Sequence, residues 1–279
     1  MVYWILFMSV APIVKFAAKS FTLPSTCVRL RSMLDDPTSG ISDLAKVMSL
    51  DPSLSAKVLK LANSALFRFP SEVCSVQKAL HVIGGEAAYN ISMAETANLA
   101  FKSFNTSLID FDQFWHKAVL IGLIAKTLAQ QKQMRGSERF FAMGILQNLS
   151  ELVCANHLPE KYANYLELEK QKIALQAQKD IFGATFINCS GMILSTWLLP
   201  EILWAPLLEL DDINAELSQD ASILLMANLM ATLEQGSAIL DNPLIPKSLL
   251  DEIGLSSDDY DIIYEFATAE SLKIASSLK

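Results

Sequence analysis

Residues 51–70, DPSLSAKVLKLANSALFRFP, constrain the fold more than any other stretch of the chain. Leu54, Val58, Leu61, Ala62, Ala65 and Leu66 recur at helical spacing and form one apolar stripe, while Lys57, Lys60 and Ser64 line the opposite side. Asp51 suits an N-cap. Pro52 suits the first helical position, where its missing N–H removes no bond. The same grammar repeats throughout: runs of 10–20 residues at helical spacing, each ended by Gly, Pro or a capping residue, with strand signals nearly absent. A chain built this way is expected to be an all-α, multi-helix globule with no substantial sheet.

Taken in order, Leu23-Pro24 opens a helix to about Leu34, DDPTSG is turn chemistry, and Ser42 is expected to cap a short helix over 43–49. Ser75 caps the helix after the 51–70 stretch, and Gly84-Gly85 ends it. A longer helix is expected over about 86–104, another from Phe114, and another capped by Ser137. A charged, solvent-facing helix should follow Pro159, then an apolar-periodic run over 213–234, then two short helices within 243–278 that turn at Gly254.

With 52% apolar residues and only 10 Gly and 10 Pro in 279, the chain has material for a real core and is not disordered. The net charge of −8 is unevenly placed: residues 209–279 hold 14 acids against 3 lysines, a net of −11, and residues 1–208 a net of +3. No clustered basic footprint stands out beyond Arg29, Arg31, Lys57, Lys60 and Arg68, so no nucleic-acid partner is expected. Cys27, Cys74, Cys154 and Cys189 form no CxxC or CxxH pair and read as reduced, core-filling thiols of a cytoplasmic protein. The apolar lead VYWILFMSVAPIV has 13 uncharged residues. That is short of the roughly 20 a membrane span needs, and no basic residue precedes it. A docked lead helix is the first reading. A start at Met8 is the second, and a membrane anchor the third.

The letters LKLANSALFRFP closely resemble the signature of the HDOD domain, a bacterial signalling module related to HD-type phosphohydrolases. Other family landmarks follow in order: SVQKALHVIGG, Phe114-Trp115, FFAMGILQNLSELV, Phe182-Gly183, Gly191, Trp197 with Leu199-Pro200, and IGLS at 253–256. The apolar lead is read as a helix over 1–21, and the resemblance implies an HDOD module over 22–216. Within the module it implies a signature half over about 22–105 and a degenerate HD-like half from about 106, which acidic helices over 217–279 complete.

An HD phosphohydrolase holds a divalent metal with a histidine, a His-Asp pair and further ligands, because imidazole and carboxylate bind such ions and the ion activates water. Aligned by the resemblance, those positions are Lys117, Gln147 and Asn148, Ile187, and Leu210 with Asp211, the last pair to within about a residue. His81, His116 and His157 are followed by Val82, Lys117 and Leu158, so no His-Asp pair exists. GxSxG, Gly-rich phosphate loops and HExxH are also absent, so no catalytic residue, metal or cofactor is expected. Within the signature, Asn63 is read first as bonding to the backbone of an adjoining loop. The functional alternative places Asn63, Ser64, Phe67 and Arg68 on a partner-docking face.

The resemblance thus implies a non-catalytic signalling or scaffolding protein that works through protein–protein contacts. Related proteins often carry a sensor or enzyme domain on the same chain. This chain has no room for one, so a separate polypeptide is the expected partner. Two other classes compete: a metal-dependent HD phosphohydrolase, which metal ligands would betray, and a small-molecule module, which a closed pocket lined by Lys117, Gln147 and Asn148 would betray.

Overall fold

The computed structural model describes residues 10–17, 25–63, 70–89, 92, 106–172, 174–197, 199–211, 216–233, 240 and 245–278, and among these it contains helices and no strand. The all-α expectation holds. In chain order the first helices are α1 (residues 10–17), α2 (Ser25–Asp35), α3 (Ile41–Ser49), α4 (Pro52–Ala62), α5 (Val76–Ile83) and α6 (residues 85–89). They are followed by α7 (Phe111–Gln131), α8 (Glu138–Leu146), α9 (Leu149–His157), α10 (Pro159–Glu169) and α11 (Ala174–Phe182). The last are α12 (Phe186–Thr196), α13 (Glu201–Glu209), α14 (Gln219–Leu233), α15 (Lys247–Ile253) and α16 (Ser257–Leu278).

Helix α4 forms as its sequence requires. The Asp51 carboxylate accepts from the Leu54 N–H at 3.0 Å, Pro52 opens the first turn, and Leu54, Val58, Leu61 and Ala62 are buried. Lys60 is exposed. Ala65 and Leu66, the end of the expected stripe, lie outside the described residues, as does most of the expected 86–104 helix. Ser75 caps α5 as expected, accepting from the Lys78 N–H at 3.2 Å.

Several boundaries differ from the sequence reading, two of them where an aspartate bonds backbone N–H groups at the start of the helix. Helix α3 starts at Ile41 rather than after Ser42, because the Asp43 carboxylate reaches back to the Gly40 N–H at 3.2 Å. Helix α7 starts at Phe111 rather than Phe114, because Asp110 accepts from the N–H groups of Asp112 and Gln113. Ser137 precedes α8 without a side-chain cap bond, and α16, at 22 residues, is long rather than short. Helix α10 is not solvent-facing all round: Tyr162 and Tyr165 are buried among Phe182 and Phe186, with ring centroids 5.1–6.2 Å apart. Cys27, Cys154 and Cys189 fill the core, but Cys74 is exposed.

Helix α7 is the axis of the molecule. It is apolar on every side from Ala118 to Ala129, apart from Lys126 and Thr127, and a helix apolar all round belongs in a core. Helices α8, α14 and α16 pack against it, and α16 also reaches α4. Trp115, fully buried, donates from Nε1 to the Ala275 carbonyl at 3.2 Å, and His116 Nε2 meets the Ser271 hydroxyl at 2.8 Å. These bonds fix the N-terminal end of α7 on α16 and so set where the next residue, Lys117, stands.

Candidate functional site

Two close approaches bring the aligned positions together. A Cβ on Gly144 of α8 would collide with the backbone of Gly122 in α7, so only glycine lets these two helices lie in backbone contact. That contact draws the turn after α8, which carries Gln147 and Asn148, toward the turn of α7 that carries Lys117. A Cβ on Gly191 would meet Leu208 Cδ2 at 2.8 Å and Leu207 Cβ at 3.2 Å, so α12 also lies close on α13. Ser150 ties α9 to α12, its N–H donating to Ser190 Oγ at 2.9 Å and its hydroxyl to the Phe186 carbonyl at 2.6 Å.

The result is a cleft of about 320 Å³ between α7, α9, α10, α11, α12 and α14. Its polar wall is Lys117, Asn148, Glu151, Glu169, Gln178 and Asn228, and its apolar wall includes Phe186, Ile187, Leu210, Leu225 and Leu229. Lys117 and Glu169 stand at the exposed rim, Asn148, Glu151 and Ile187 are half-buried, and Gln178 and Leu210 are buried. Gln147, fully buried, lies behind the wall. Its Oε1 accepts from Asn228 Nδ2 at 2.8 Å, and its Nε2 has no partner among the described residues.

Two carboxylates are held by tyrosines. Tyr162 donates to Glu151 Oε1 and Tyr165 to Glu169 Oε1, each at 2.8 Å. Desolvation pushes the Glu151 carboxyl above the usual carboxylate range, and Glu169 adds to this. The Tyr162 hydrogen bond and the Lys117 charge act the other way without overcoming it.

The remaining aligned pair is split at the cleft wall. Asp211 turns to Lys179, with Nζ 3.4 Å from Oδ2, and it also faces the Thr185 N–H at the start of α12, while Leu210, aligned beside it, lines the cleft. The histidines go elsewhere. His81 Nδ1 meets the Gln77 carbonyl at 2.8 Å, His157 stacks on Phe16 at 4.9 Å, and His116 is held by Ser271. In the signature, the Asn63 amide bonds to backbone on two sides: Oδ1 accepts from the Val73 N–H at 2.8 Å, and Nδ2 donates to the carbonyls of Leu59 and Val73. Ser64, Phe67 and Arg68 lie outside the described residues.

This helical frame can be set beside known proteins. The family model of the HDOD domain matches residues 21–213. The chain belongs to the HDOD family. A solved structure from Shewanella amazonensis SB2B, provisionally named a phosphohydrolase, is similar over 96% of this HDOD chain and 98% of its own, with a TM-score of 0.74 and 18% identity. Another, from Marinobacter aquaeolei VT8, provisionally named a signal transduction protein, matches 92% of this chain and 59% of its own, with a TM-score of 0.70 and 21% identity. Likeness at such identities speaks for the fold. A curated protein of Treponema pallidum (strain Nichols), described as uncharacterized, is 25% identical over 154 residues, 54% of this chain, which spans only 29% of that relative's length.

The HDOD cleft does not fit the divalent ion that HD-type chemistry requires. At the aligned positions it offers an ammonium, a neutral amide and an alkyl chain, and among the described residues no three His, Cys, Asp or Glu side chains converge as ligands. The sequence reading did not single out Glu151, Glu169, Gln178 or Asn228. Glu151 was within reach, since it follows Asn148 by three residues and so shares its face. Glu169, Gln178 and Asn228 arrive from helices whose approach no local pattern encodes.

Proposed function

We propose that this HDOD protein is a non-catalytic signal-transduction module that acts through protein–protein contacts. The observation that carries the reading is the cleft, where Lys117, Asn148 and Ile187 occupy positions the resemblance aligns with metal ligands, while Asp211 is engaged by Lys179. Without a bound ion the site lacks the group that HD-type chemistry uses to lower the pKa of an attacking water. The provisional name of the Marinobacter structure supports a signalling role. In this reading α14 and α16, both packed on α7, complete the HD-like half, so that 217–279 belongs with the 22–216 module.

The contact surface is proposed on the acidic end. Helix α16 presents Asp258, Asp261 and Glu265 to solvent beside Ile262 and Leu272, which are 68% and 62% exposed. Exposed carboxylates flanking apolar side chains suit a partner with a basic, partly apolar face. Among the described residues no helix is long and apolar enough to cross a membrane, and three buried thiols agree with a reducing, cytoplasmic setting.

Affinity capture from the native host, read by mass spectrometry at low and high salt, tests the proposal. A basic signalling protein should be captured, and less of it as ionic strength rises and screening shortens the reach of the acidic face. Capture that is insensitive to salt would contradict the electrostatic part, and the absence of any reproducible partner would contradict the whole.

A further inference from the structure

The cleft carries both signs of charge, and its charged groups are only partly engaged by the protein. Among the described residues Lys117 makes no hydrogen bond or ion pair, and the side-chain amide of Asn148 makes no hydrogen bond. Glu151 and Glu169 each give one oxygen to a tyrosine hydroxyl, and the second oxygen of each has no partner among the described residues. The tyrosines are buried and packed on Phe182 and Phe186, so they hold both carboxylates in place before anything binds. Between the polar groups lies a hydrocarbon wall that includes Ile187, Leu210 and Leu229.

We propose that this cleft is a binding site for a small organic amine with a hydrogen-bond acceptor at one end and a short hydrocarbon body. The ammonium sits against Glu151 and Glu169. The acceptor, a hydroxyl or a carboxylate, is taken by Lys117 and Asn148, and the hydrocarbon lies on Ile187, Leu210 and Leu229. Charge selects this class: two carboxylates against one ammonium leave the wall net negative, which favours a cation and disfavours a phosphate or a nucleotide. A divalent ion is disfavoured as well, because one oxygen of each carboxylate is already bonded and Lys117 repels it. A volume of about 320 Å³ is at the small end of ligand sites, which sets the size of the occupant. The proposal rests on the cleft alone, so a failure to capture a partner protein leaves it standing.

Calorimetric titration of the full chain tests it with four probes that share an isobutyl group: leucine, leucinol, isopentylamine and 4-methylpentanoate. Leucinol and leucine should bind saturably, isopentylamine more weakly, and 4-methylpentanoate not measurably. Glu169→Gln, at the exposed rim and so tolerated by the fold, should weaken leucinol by at least about tenfold, as should Glu151→Gln. Lys117→Ala should weaken leucine, which loses the partner of its carboxylate, but should not weaken isopentylamine, which has no acceptor and is freed of a like charge. The proposal is overturned if no amine gives saturable heat, if 4-methylpentanoate binds as well as the amines, or if both glutamine variants retain wild-type affinity with native circular dichroism.

Discussion

Glu151 stands where its charge is disfavoured, half-buried at the mouth of an aromatic cluster, with only Tyr162 and the more distant Lys117 in its favour. Because its folded pKa lies above the unfolded value of about 4.3, the carboxyl favours folding when protonated, and that contribution is lost as pH rises through the folded pKa. Glu151→Gln keeps an acceptor for Tyr162 and removes the charge. It should therefore melt higher than the native chain at pH 7–8, with the difference shrinking to nothing as pH falls toward about 4. Melting curves across that range check this, and an equal or lower midpoint for the variant at neutral pH would show that Lys117 and Tyr162 outweigh desolvation. A carboxylate kept at a cost in stability is what a functional site carries more often than a structural one.

At the scale of the element, α4 shows how far local pattern reaches. Its stripe and both caps are written within a dozen residues: Asp51 meets Leu54, Pro52 opens the turn, and Asn63 closes the helix against Val73. Leu61 is 3% exposed, so Leu61→Ala should lower stability by roughly 2–5 kcal/mol, while Lys60→Ala on the solvent side should change it by less than about 0.5 kcal/mol. Denaturant titrations of the two variants decide it, and equal losses would reverse the face assignment. Elements were less legible where a start depends on which side chain bonds the end of the helix, as Asp43 does by reaching back to Gly40 and Asp110 by reaching forward into the first turn of α7. The bidentate pair between Arg139 and Asp220, at 2.7 and 2.8 Å, joins α8 to α14 across 81 positions and left no local trace. The candidate site divides the same way. Lys117, Asn148 and Ile187 were reachable because the resemblance aligned them, whereas Glu169, Gln178 and Asn228 reach the cleft only through helix packing.

At the scale of the whole molecule, α7 holds the structure together and positions its cleft. Its fully buried midsection accepts α8 through the Gly122–Gly144 contact, and its N-terminal end is bolted to α16 through Trp115 and His116. The acidic end is thus no appendage, since α14 and α16 pack directly on the central helix. It brings its charge to the outside of an all-helical HDOD frame in which, as proposed, the HD-like ligands have been replaced.

Elemental analysis of gently purified protein, paired with hydrolysis assays in added Mn²⁺ over nucleotide and phosphomonoester substrates, tests that replacement. With Lys117, Asn148 and Ile187 in the cleft and Asp211 bound to Lys179, no stoichiometric divalent metal and no turnover are expected. One tightly held metal per chain, together with turnover that Gln147→Ala abolishes, would contradict it.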